Sequence, residues 1–344
     1  MKKAWKAMIV AVVLVTMVTG ALVAAGAQEA KDDGKMVFGY ITPGPDTWYK
    51  MGVDGFVWAA ERAGVEVQVL NSDYDPEREI ANIESFVDRG VDGLAVFSFN
   101  PQGANLAARR AGAAGIPVVA IDNAGQVLLS DNDVVAAVDF DWVAMGKNIA
   151  NYMAENYPGD NIAFIGGLFE HVPVQMFRSS FEPEVERLGK NKITALRDGR
   201  YDPSQAVSEV EDLIQAGVDF QSVFVFNEEM GAAVVRTLEN RGLLNNPIKV
   251  ISSNGAPYGI ELIKEGKIDY SISTSPGWEG MIAFLELYSY VTGRSDALNR
   301  QIMLPDTPIT PETINDKTKV VPWEPDPVWL ELTKTYFPEY DGLY

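Results

Sequence analysis

Two adjacent aromatic residues, Trp48 and Tyr49, follow the first strand-like segment of the chain after a short polar loop. The strand reads Met36 to Ile41, and the loop runs from Thr42 to Thr47. Side chains after such a strand lie at the carboxyl edge of a parallel sheet, where open α/β folds bind ligands. Aromatic rings at that edge offer flat apolar surfaces, so this stretch is the first candidate for a binding site.

The segment after this loop predicts the helix that would position the two rings. From Trp48 onward, glycine, alanine and aromatic residues recur at steps of three and four, which gives the helix one buried face. Gly64 ends it, and a β-branched strand runs from Val65 to Leu70. This order forms a βαβ unit with two parallel strands. The alternation continues almost to the end of the chain and predicts an α/β fold with parallel sheets covered by helices.

The strand-like segments are too many for one open sheet, so two similar lobes are expected, each a parallel sheet flanked by helices. A three-crossover hinge would join them, near Asp139–Asp141, Thr274–Pro276 and Leu304–Pro308. The N-terminal lobe would comprise residues 36–139 plus 275–305, and the C-terminal lobe residues 140–274. Residues 306–344, rich in proline and aromatic residues, would form the last crossover and an irregular tail with one short helix from Pro327 to Thr335.

The first 27 residues have the three parts of a secretory signal. Lys2, Lys3 and Lys6 are basic, the following run to Ala25 is apolar, and the segment ends in Ala25-Gly26-Ala27. We expect a signal peptide cleaved near Ala27, although the apolar run is also marginally long enough for a membrane anchor. The chain has no cysteine, which excludes a lipid-anchored N-terminus. A protein exported without an anchor is retained only behind an outer membrane, so the expected location is the periplasm.

The composition limits the partners that the protein can have. The chain has 28 Lys and Arg residues against 48 Asp and Glu residues and a formal net charge of −20. Without the signal it would have 25 basic and 48 acidic residues, a net charge of −23. Nucleic acid and anionic membranes are therefore not expected as partners, because phosphate binding needs basic patches. His171 is the sole histidine, and no phosphate-binding glycine loop occurs, so neither a metal site nor a bound cofactor is expected.

Several local strings, taken in their order and spacing, give the chain a resemblance to a known family. They are Gly55-Phe56, the run from Asn82 to Gly93 (NIESFVDRGVDG), the run from Gly115 to Asp122 (GIPVVAID), Asn227-Glu228-Glu229-Met230 and Glu265-Gly266-Lys267. Over nearly the whole mature chain to about Leu304, the sequence resembles the ribose-binding type of periplasmic binding protein, the receptor subunit of sugar ABC importers. This resemblance implies the type I periplasmic binding protein fold, with a ligand held between two lobes.

The resemblance also implies which residues bind the ligand. Carried over position by position, they are Asp46, Trp48, Tyr49, Asp122, Asn123, Arg178, Tyr201, Asn227, Asn254 and Thr274. Asn123 stands where the family often has Arg, Asn254 where it has Asp, and Thr274 where it often has Gln. The spacing from Arg178 to Phe181 is one residue shorter than usual. The motifs that define the fold match the family, but several of the residues expected to bind the ligand differ, so the ligand need not be ribose.

These residue types suit a sugar, which has two faces of C–H groups and an equator of hydroxyls. The rings of Trp48, Tyr49 and Tyr201 would cover the faces. The remaining polar groups would hydrogen-bond the equator: Asp46, Asp122, Arg178, Asn227, Asn254 and Thr274. A buried hydrogen-bonding group without a partner costs about 1–3 kcal/mol, so each such residue would also reject wrong epimers.

Each of these residues also has a purely structural alternative. Trp48 can be the first core residue of its helix, and Asn227 can cap the helix that follows it. Asp122 and Asn254 can be turn residues. Arg178 can be an exposed helix charge.

The sequence therefore predicts a non-enzymatic receptor that closes over a small sugar or polyol and docks on an ABC transporter permease, and the resemblance implies a monomer. The alternative within this class is a non-pentose ligand such as a polyol, an inositol, a deoxysugar or a furanose-like signal molecule. A sugar-responsive DNA-binding regulator shares the fold but needs a basic helix-turn-helix where this chain has its secretory signal. A periplasmic hydrolase with paired carboxylates is the alternative from another class, and turnover of a sugar would support it.

Overall fold

Alternating apolar segments build two parallel sheets in the protein. The structure is a computed structural model that describes residues 34–98, 101–122, 134–294 and 301–343. The first sheet has six parallel strands in the order β11-β5-β4-β3-β1-β2. Its strands are β1 (Val37–Thr42), β2 (Glu66–Asn71), β3 (Gly93–Phe97), β4 (Val118–Ile121), β5 (Val134–Phe140) and β11 (Gln301–Leu304).

The second sheet has four parallel strands in the order β7-β6-β8-β9. They are β6 (Asn161–Gly166), β7 (Lys192–Asp198), β8 (Ser222–Val225) and β9 (Lys249–Ile251). A separate antiparallel pair joins β10 (Ser271–Ser273) to β12 (Thr307–Ile309). Two isolated bridges, Ile251 to Tyr270 and Asn254 to Ser273, link β10 and the residue before it to the end of β9 and the segment that follows.

Helices connect successive parallel strands, as the crossover geometry requires. In the described residues they are α1 (Thr47–Ala63), α2 (Pro76–Arg89), α3 (Pro101–Ala113), α4 (Trp142–Asn156), α5 (Val172–Leu188), α6 (Pro203–Gln215), α7 (Glu228–Asn240), α8 (Pro257–Lys264), α9 (Pro276–Val291) and α10 (Val328–Tyr336), followed by a 3-10 turn (Pro338–Tyr340). None of them combines the length and the apolar character that crossing a membrane requires.

Short polar side chains fix where several of these helices begin. Asp46 and Asn227 each accept a hydrogen bond from a backbone N–H in the first turn of α1 and α7, respectively. Asp141 does the same for α4, and Ser275 for α9. Such caps satisfy backbone donors that have no partner within the helix. Because every one of these caps directly follows a strand or its loop, the caps also hold polar side chains at the strand ends.

The chain moves between the two sheets at three places in the described ranges. It leaves β5 at Asp141 to enter α4, returns from β10 to α9 through Ser275, and leaves β11 again before β12 begins at Thr307. Helix α9 packs against α1 and against strands β3 to β5 of the first sheet. The predicted class, parallel sheets flanked by helices, is confirmed. The division into lobes at residues 139, 275 and 305 stays a prediction, and residues 1–27, the predicted signal, lie outside the described residues.

Candidate functional site

A cavity of about 490 Å³ lies at the carboxyl ends of the strands of both sheets. Most of the residues that line it lie after a strand, in the loop that follows it or in the first turn of the next helix, and Trp323 comes from the tail. The lining residues are Asp46, Thr47, Trp48, Tyr49, Tyr74, Asp122, Trp142, Leu168, His171, Pro173, Arg200, Tyr201, Phe226, Asn227, Glu229, Asn254, Tyr258 and Trp323. The wall is thus made of aromatic rings and hydrogen-bonding groups, the composition of small-ligand sites.

Seven of the ten residues predicted to bind a ligand line this cavity. They are Asp46, Trp48, Tyr49, Asp122, Tyr201, Asn227 and Asn254. The fold brings them together from both sheets, and their contact with a ligand stays a prediction. Asn123 lies outside the described residues.

Arg178 and Thr274 are not on the cavity wall, which differs from the prediction. The Arg178 Nε donates to Glu182 Oε1 at 2.6 Å, and its guanidinium lies 4.3 Å from the centre of the Phe169 ring. The Arg178 side chain is therefore held by an ion pair within its own helix and by a ring in the loop before that helix. Thr274 is buried, and its hydroxyl donates to the carbonyl oxygen of Asn254 at 3.1 Å. Thr274 thus holds the backbone of a cavity residue instead of facing the cavity itself.

The wall from the first sheet is fixed by contacts of Asp46 and the two aromatic residues that follow it. Asp46 accepts from the Tyr49 N–H at 3.2 Å and from the Tyr74 hydroxyl at 2.7 Å. The Trp48 ring meets the Trp323 ring edge-to-face with centroids 5.2 Å apart. Tyr49 is buried against Phe97 with centroids 4.8 Å apart. Contacts within the protein therefore orient the rings, which lowers the entropy that ligand binding must remove.

The wall from the second sheet contains a hydrogen-bonded pair, His171 and Tyr201. The His171 Nδ1 lies 2.7 Å from the Tyr201 hydroxyl. Burial lowers the pKa of His171 to about 4, so the ring is neutral at physiological pH. Asn227 accepts from the Met230 N–H at 2.9 Å through its side-chain oxygen. The cap uses only the carbonyl end of this amide, so its NH₂ end is available to a ligand, and the structural and functional explanations of Asn227 are compatible.

Strained backbone conformations concentrate at the cavity. Seven non-glycine residues in the described part of the chain have a positive φ, and five of these line the cavity. The five are Tyr74 (57°), Asp122 (60°), Arg200 (54°), Tyr201 (56°) and Asn254 (101°). Each such conformation costs about 1–3 kcal/mol and persists where the surroundings over-determine it, typically at functional sites.

Two glycines make room for two of the cavity tyrosines. A Cβ at Gly44 would lie 2.1 Å from the ζ carbon of Tyr74, and one at Gly167 would lie 2.4 Å from the ε1 carbon of Tyr201. A larger residue at either position would displace the ring. Gly167 follows strand β6, and a glycine pair at a strand end was the sequence signal that could have drawn attention to this wall.

The C-terminal tail contributes a residue that sequence analysis did not assign to the site. The Trp323 indole Nε1 donates to the carbonyl oxygens of Thr274 at 2.7 Å and Asn254 at 3.3 Å. The preceding segment is tied down as well, because the Ser275 hydroxyl donates to the Pro322 carbonyl at 2.6 Å. The tail therefore completes the cavity wall next to one of the passages between the sheets.

The cavity wall has more acidic than basic side chains. Asp46, Asp122 and Glu229 are carboxylates in its wall, and Arg200 is the one cationic side chain among the described lining residues. Reduced contact with solvent raises the pKa of Glu229, and the charge of Asp46 raises it further. Burial raises the pKa of Asp122 well above its usual range, and the neighbouring Asp139 adds to this effect. These groups can accept hydrogen bonds from hydroxyls or interact with a cation, and they disfavour an anionic ligand.

Comparison with known proteins then assigns the family. The model of a periplasmic binding protein domain matches residues 38–295, three quarters of the chain. The chain belongs to this family. It is 26% identical over 224 residues to the ribose import binding protein of Salmonella typhimurium, covering 65% of this chain and 73% of that protein. It is 26% identical over 270 residues to the D-xylose-binding periplasmic protein of Escherichia coli, covering 74% of this chain and 76% of that protein.

Solved structures show the same fold. A solute-binding protein of an ABC transporter from Bacillus halodurans with bound myo-inositol matches with a TM-score of 0.75 at 20% identity, covering 83% of this chain and 98% of that chain. A solute-binding protein from Burkholderia graminis in complex with D-arabinose has the same TM-score and identity, covering 83% of this chain and 99% of that one. At this level of identity, the likeness concerns the fold.

Proposed function

We propose that the protein is a periplasmic receptor that captures a small sugar or polyol and delivers it to the permease of an ABC transporter. The observation that carries this proposal is the cavity at the strand ends of both sheets, lined by aromatic rings and hydrogen-bonding groups. The named ligands of the family members described above, from ribose and xylose to myo-inositol, support the same ligand class. We infer capture without chemical change, since the relatives are binding proteins.

Closure would follow from contacts that only a ligand can make with both walls. Trp48 and Tyr49 would cover one side of the ligand, and Tyr201 and Asn227 would meet it from the second sheet. A ligand that touches both walls stabilises the closed arrangement more than the open one and shifts the equilibrium accordingly. The three passages between the sheets would form the hinge.

A thermal-shift screen of the purified protein against pentoses, hexoses, polyols, inositols and nucleosides tests the proposal. A ligand that binds only the native state adds about 2.7 kcal/mol of stability at a hundredfold excess over its Kd, which gives a clear rise in Tm. We expect one ligand class to raise Tm and the shift to disappear in Trp48→Ala. The matched control is Tyr290→Ala, because Tyr290 is 45% exposed and lies outside the cavity wall.

Two results would overturn the proposal. The first is the absence of any shift across the panel in a protein that unfolds cooperatively. The second is a shift of equal size in Trp48→Ala. Conversion of a bound sugar, followed by NMR, would replace the receptor by the hydrolase alternative.

Export can be tested independently of the ligand. If the predicted signal is used, N-terminal sequencing of the protein recovered from a periplasmic fraction starts at Gln28, the residue after Ala27. A chain that keeps Met1 or the apolar run and sediments with membranes would instead favour the anchor alternative.

A further inference from the structure

Three buried carboxyl groups meet next to the cavity. Asp122 follows strand β4, Asp139 lies in β5, and Glu279 lies in the first turn of α9. One oxygen from each residue lies within 4.8 Å of the corresponding oxygens of the other two. Their exposed fractions are 4%, 1% and 1%, so solvent does not screen them.

The hydrogen bonds at this cluster are distributed unevenly. Asp139 Oδ1 accepts from the Phe140 N–H and from the Trp142 indole Nε1, both at 2.7 Å. In the described structure, by contrast, Asp122 Oδ1 and both carboxylate oxygens of Glu279 have no hydrogen-bond partner. Buried polar atoms are nearly always paired, so three orphaned oxygens at one place indicate that a partner other than these side chains belongs there.

A fourth buried oxygen without a hydrogen-bond partner in the described residues belongs to Tyr40. The Tyr40 side chain is fully buried, and no described group pairs with its hydroxyl. Burial raises the pKa of this phenol, and the charges of Glu279 and Asp122 raise it further. Four buried oxygen atoms, from Tyr40, Asp122 and Glu279, thus have no hydrogen-bond partner in the described residues. Asp139 is the third carboxyl group of the cluster.

No described cationic side chain acts on the carboxyl groups of Asp122 and Glu279. All the causes that set the pKa of Asp122 and Glu279 raise it, and no cationic side chain is among them. An ionised carboxylate buried without a partner costs several kcal/mol, and adjacent like charges add to this cost. A bound cation would offset both effects.

We propose that Asp122, Asp139 and Glu279 form a binding site for a hard divalent cation, Ca²⁺ in preference to Mg²⁺. All donors are oxygen atoms, which suit hard cations. Ca²⁺ takes six to eight oxygens at about 2.3–2.6 Å, so two opposite ligands span up to about 5.2 Å, which accommodates the 4.8 Å limit of this cluster. Mg²⁺ needs a near-ideal octahedron at about 2.0–2.1 Å and gives up its water reluctantly, which fits an all-protein cluster less well.

The site would also act on the cavity, because Asp122 belongs to both. A cation would fix the Asp122 carboxylate and reduce the negative charge of the wall. Water or ligand hydroxyls on the cavity side could complete its coordination. This coupling to a polyol rests on the proposed function, whereas cation binding itself does not.

Terbium luminescence in the absence of any sugar is the direct test. Tb³⁺ replaces Ca²⁺ at oxygen sites, and the Trp142 indole, hydrogen-bonded to Asp139, would sensitise its emission. For the chelator-treated protein we expect saturation at one equivalent and displacement by Ca²⁺ ahead of Mg²⁺. Glu279→Gln should weaken Ca²⁺ binding, measured by calorimetry, by at least about 100-fold, since even outer-shell partners contribute 10–100-fold.

Glu228→Gln is the matched control. Glu228 is also a buried glutamate in the first turn of a helix. Its helix, α7, follows a strand of the second sheet, and the residue lies outside the cluster. The Glu228→Gln variant should bind Ca²⁺ and Tb³⁺ with the same affinity as the wild type. Equal loss in both variants would assign the signal to the acidic surface or to misfolding and would overturn the proposal. A wild type that shows neither saturable Tb³⁺ emission nor a Ca²⁺-dependent rise in Tm would overturn it as well.

The main competing explanation is a proton shared within the cluster. It predicts no effect of Ca²⁺ and an infrared band of a protonated carboxyl group that is lost in Glu279→Gln. The coupling is tested by repeating the sugar panel with Ca²⁺ and with chelator. If the protein binds Ca²⁺ but none of the sugars, the proposed function is contradicted and the cation site is supported. If a sugar binds equally well with chelator and the protein does not bind Ca²⁺, the proposed function is supported and the cation site is contradicted.

Discussion

Glu228 and Glu279 are the same residue type in the same local position, yet their environments differ. Each is buried in the first turn of a helix, α7 and α9, respectively. Glu228 accepts from the Gly255 N–H at 2.7 Å, from the Ala256 N–H at 3.3 Å and from the Ser271 hydroxyl. Glu279 accepts from no described group and faces two other carboxyl groups.

This difference separates a structural carboxylate from a candidate functional one. Burial raises the pKa of Glu228 to about 7, and its donors oppose that effect. For Glu279, burial raises the pKa well above its usual range, and Asp122 and Asp139 raise it further. Glu286 is intermediate, since the Tyr340 hydroxyl donates to one of its oxygens and the other has no partner in the described part of the chain. The number of donors that the fold supplies, not burial itself, decides whether a buried carboxylate stabilises its surroundings.

The largest effect is expected when Glu228 is truncated. Glu228→Ala leaves the N–H groups of Gly255 and Ala256 and the Ser271 hydroxyl without an acceptor, so we expect the free energy of unfolding to fall by about 3–4 kcal/mol in urea denaturation. Glu229→Ala is the control, because the neighbouring Glu229 is exposed and should change stability by less than about 0.5 kcal/mol. Equal effects of the two substitutions would contradict the structural role of Glu228.

Glu228 should also make stability depend on pH. Its folded pKa of about 7 exceeds the unfolded value of 4.5, so the native state binds the proton more tightly. Its contribution is therefore fully present below pH 4.5 and is lost as pH rises through 7, a change of about 3 kcal/mol at 1.36 kcal/mol per pKa unit. The difference in unfolding free energy between wild type and Glu228→Gln, measured from pH 5 to pH 8, should follow this fall. A pH-independent difference would mean that the Glu228 pKa is not raised.

Removal of the single donor of Glu286 should have a smaller effect. Tyr340→Phe leaves this buried carboxylate without a hydrogen bond, and we expect a loss of about 1–3 kcal/mol in the same denaturation assay. Tyr336→Phe removes a hydroxyl from an exposed tyrosine of the same tail and should be nearly neutral. If both variants behave alike, the tail is not anchored through Glu286.

The smallest effect is expected at Glu279 in the presence of chelator. Glu279→Gln replaces a buried carboxyl group that has no hydrogen-bond partner in the described residues, so the free energy of unfolding should stay within about 1 kcal/mol of the wild type. With Ca²⁺ added, the wild type should gain stability and the variant should not. A loss as large as that of Glu228→Ala would show that Glu279 has partners in the folded protein and would remove the contrast between the two residues.

The sequence by itself determined the elements and which of them face the ligand edge. Periodicity, capping residues and terminal glycines set the alternation of strands and helices, because these signals act within a few residues. The carboxyl ends of parallel strands meet at one edge of a sheet, so the alternation predicts a ligand edge for each sheet. That Trp48, Asp122, Asn227 and Asn254 share one cavity wall was implied by the family resemblance.

The tertiary structure decided the rest, because the deciding contacts join residues that are distant in the chain. Trp323 reaches the cavity from the tail by bonding to Thr274, 49 residues earlier. No local pattern distinguishes Glu228 from Glu279, since the donors of one and the acidic neighbours of the other come from separate elements. Helix and strand signals are local, whereas the partner of a buried charge is set by packing.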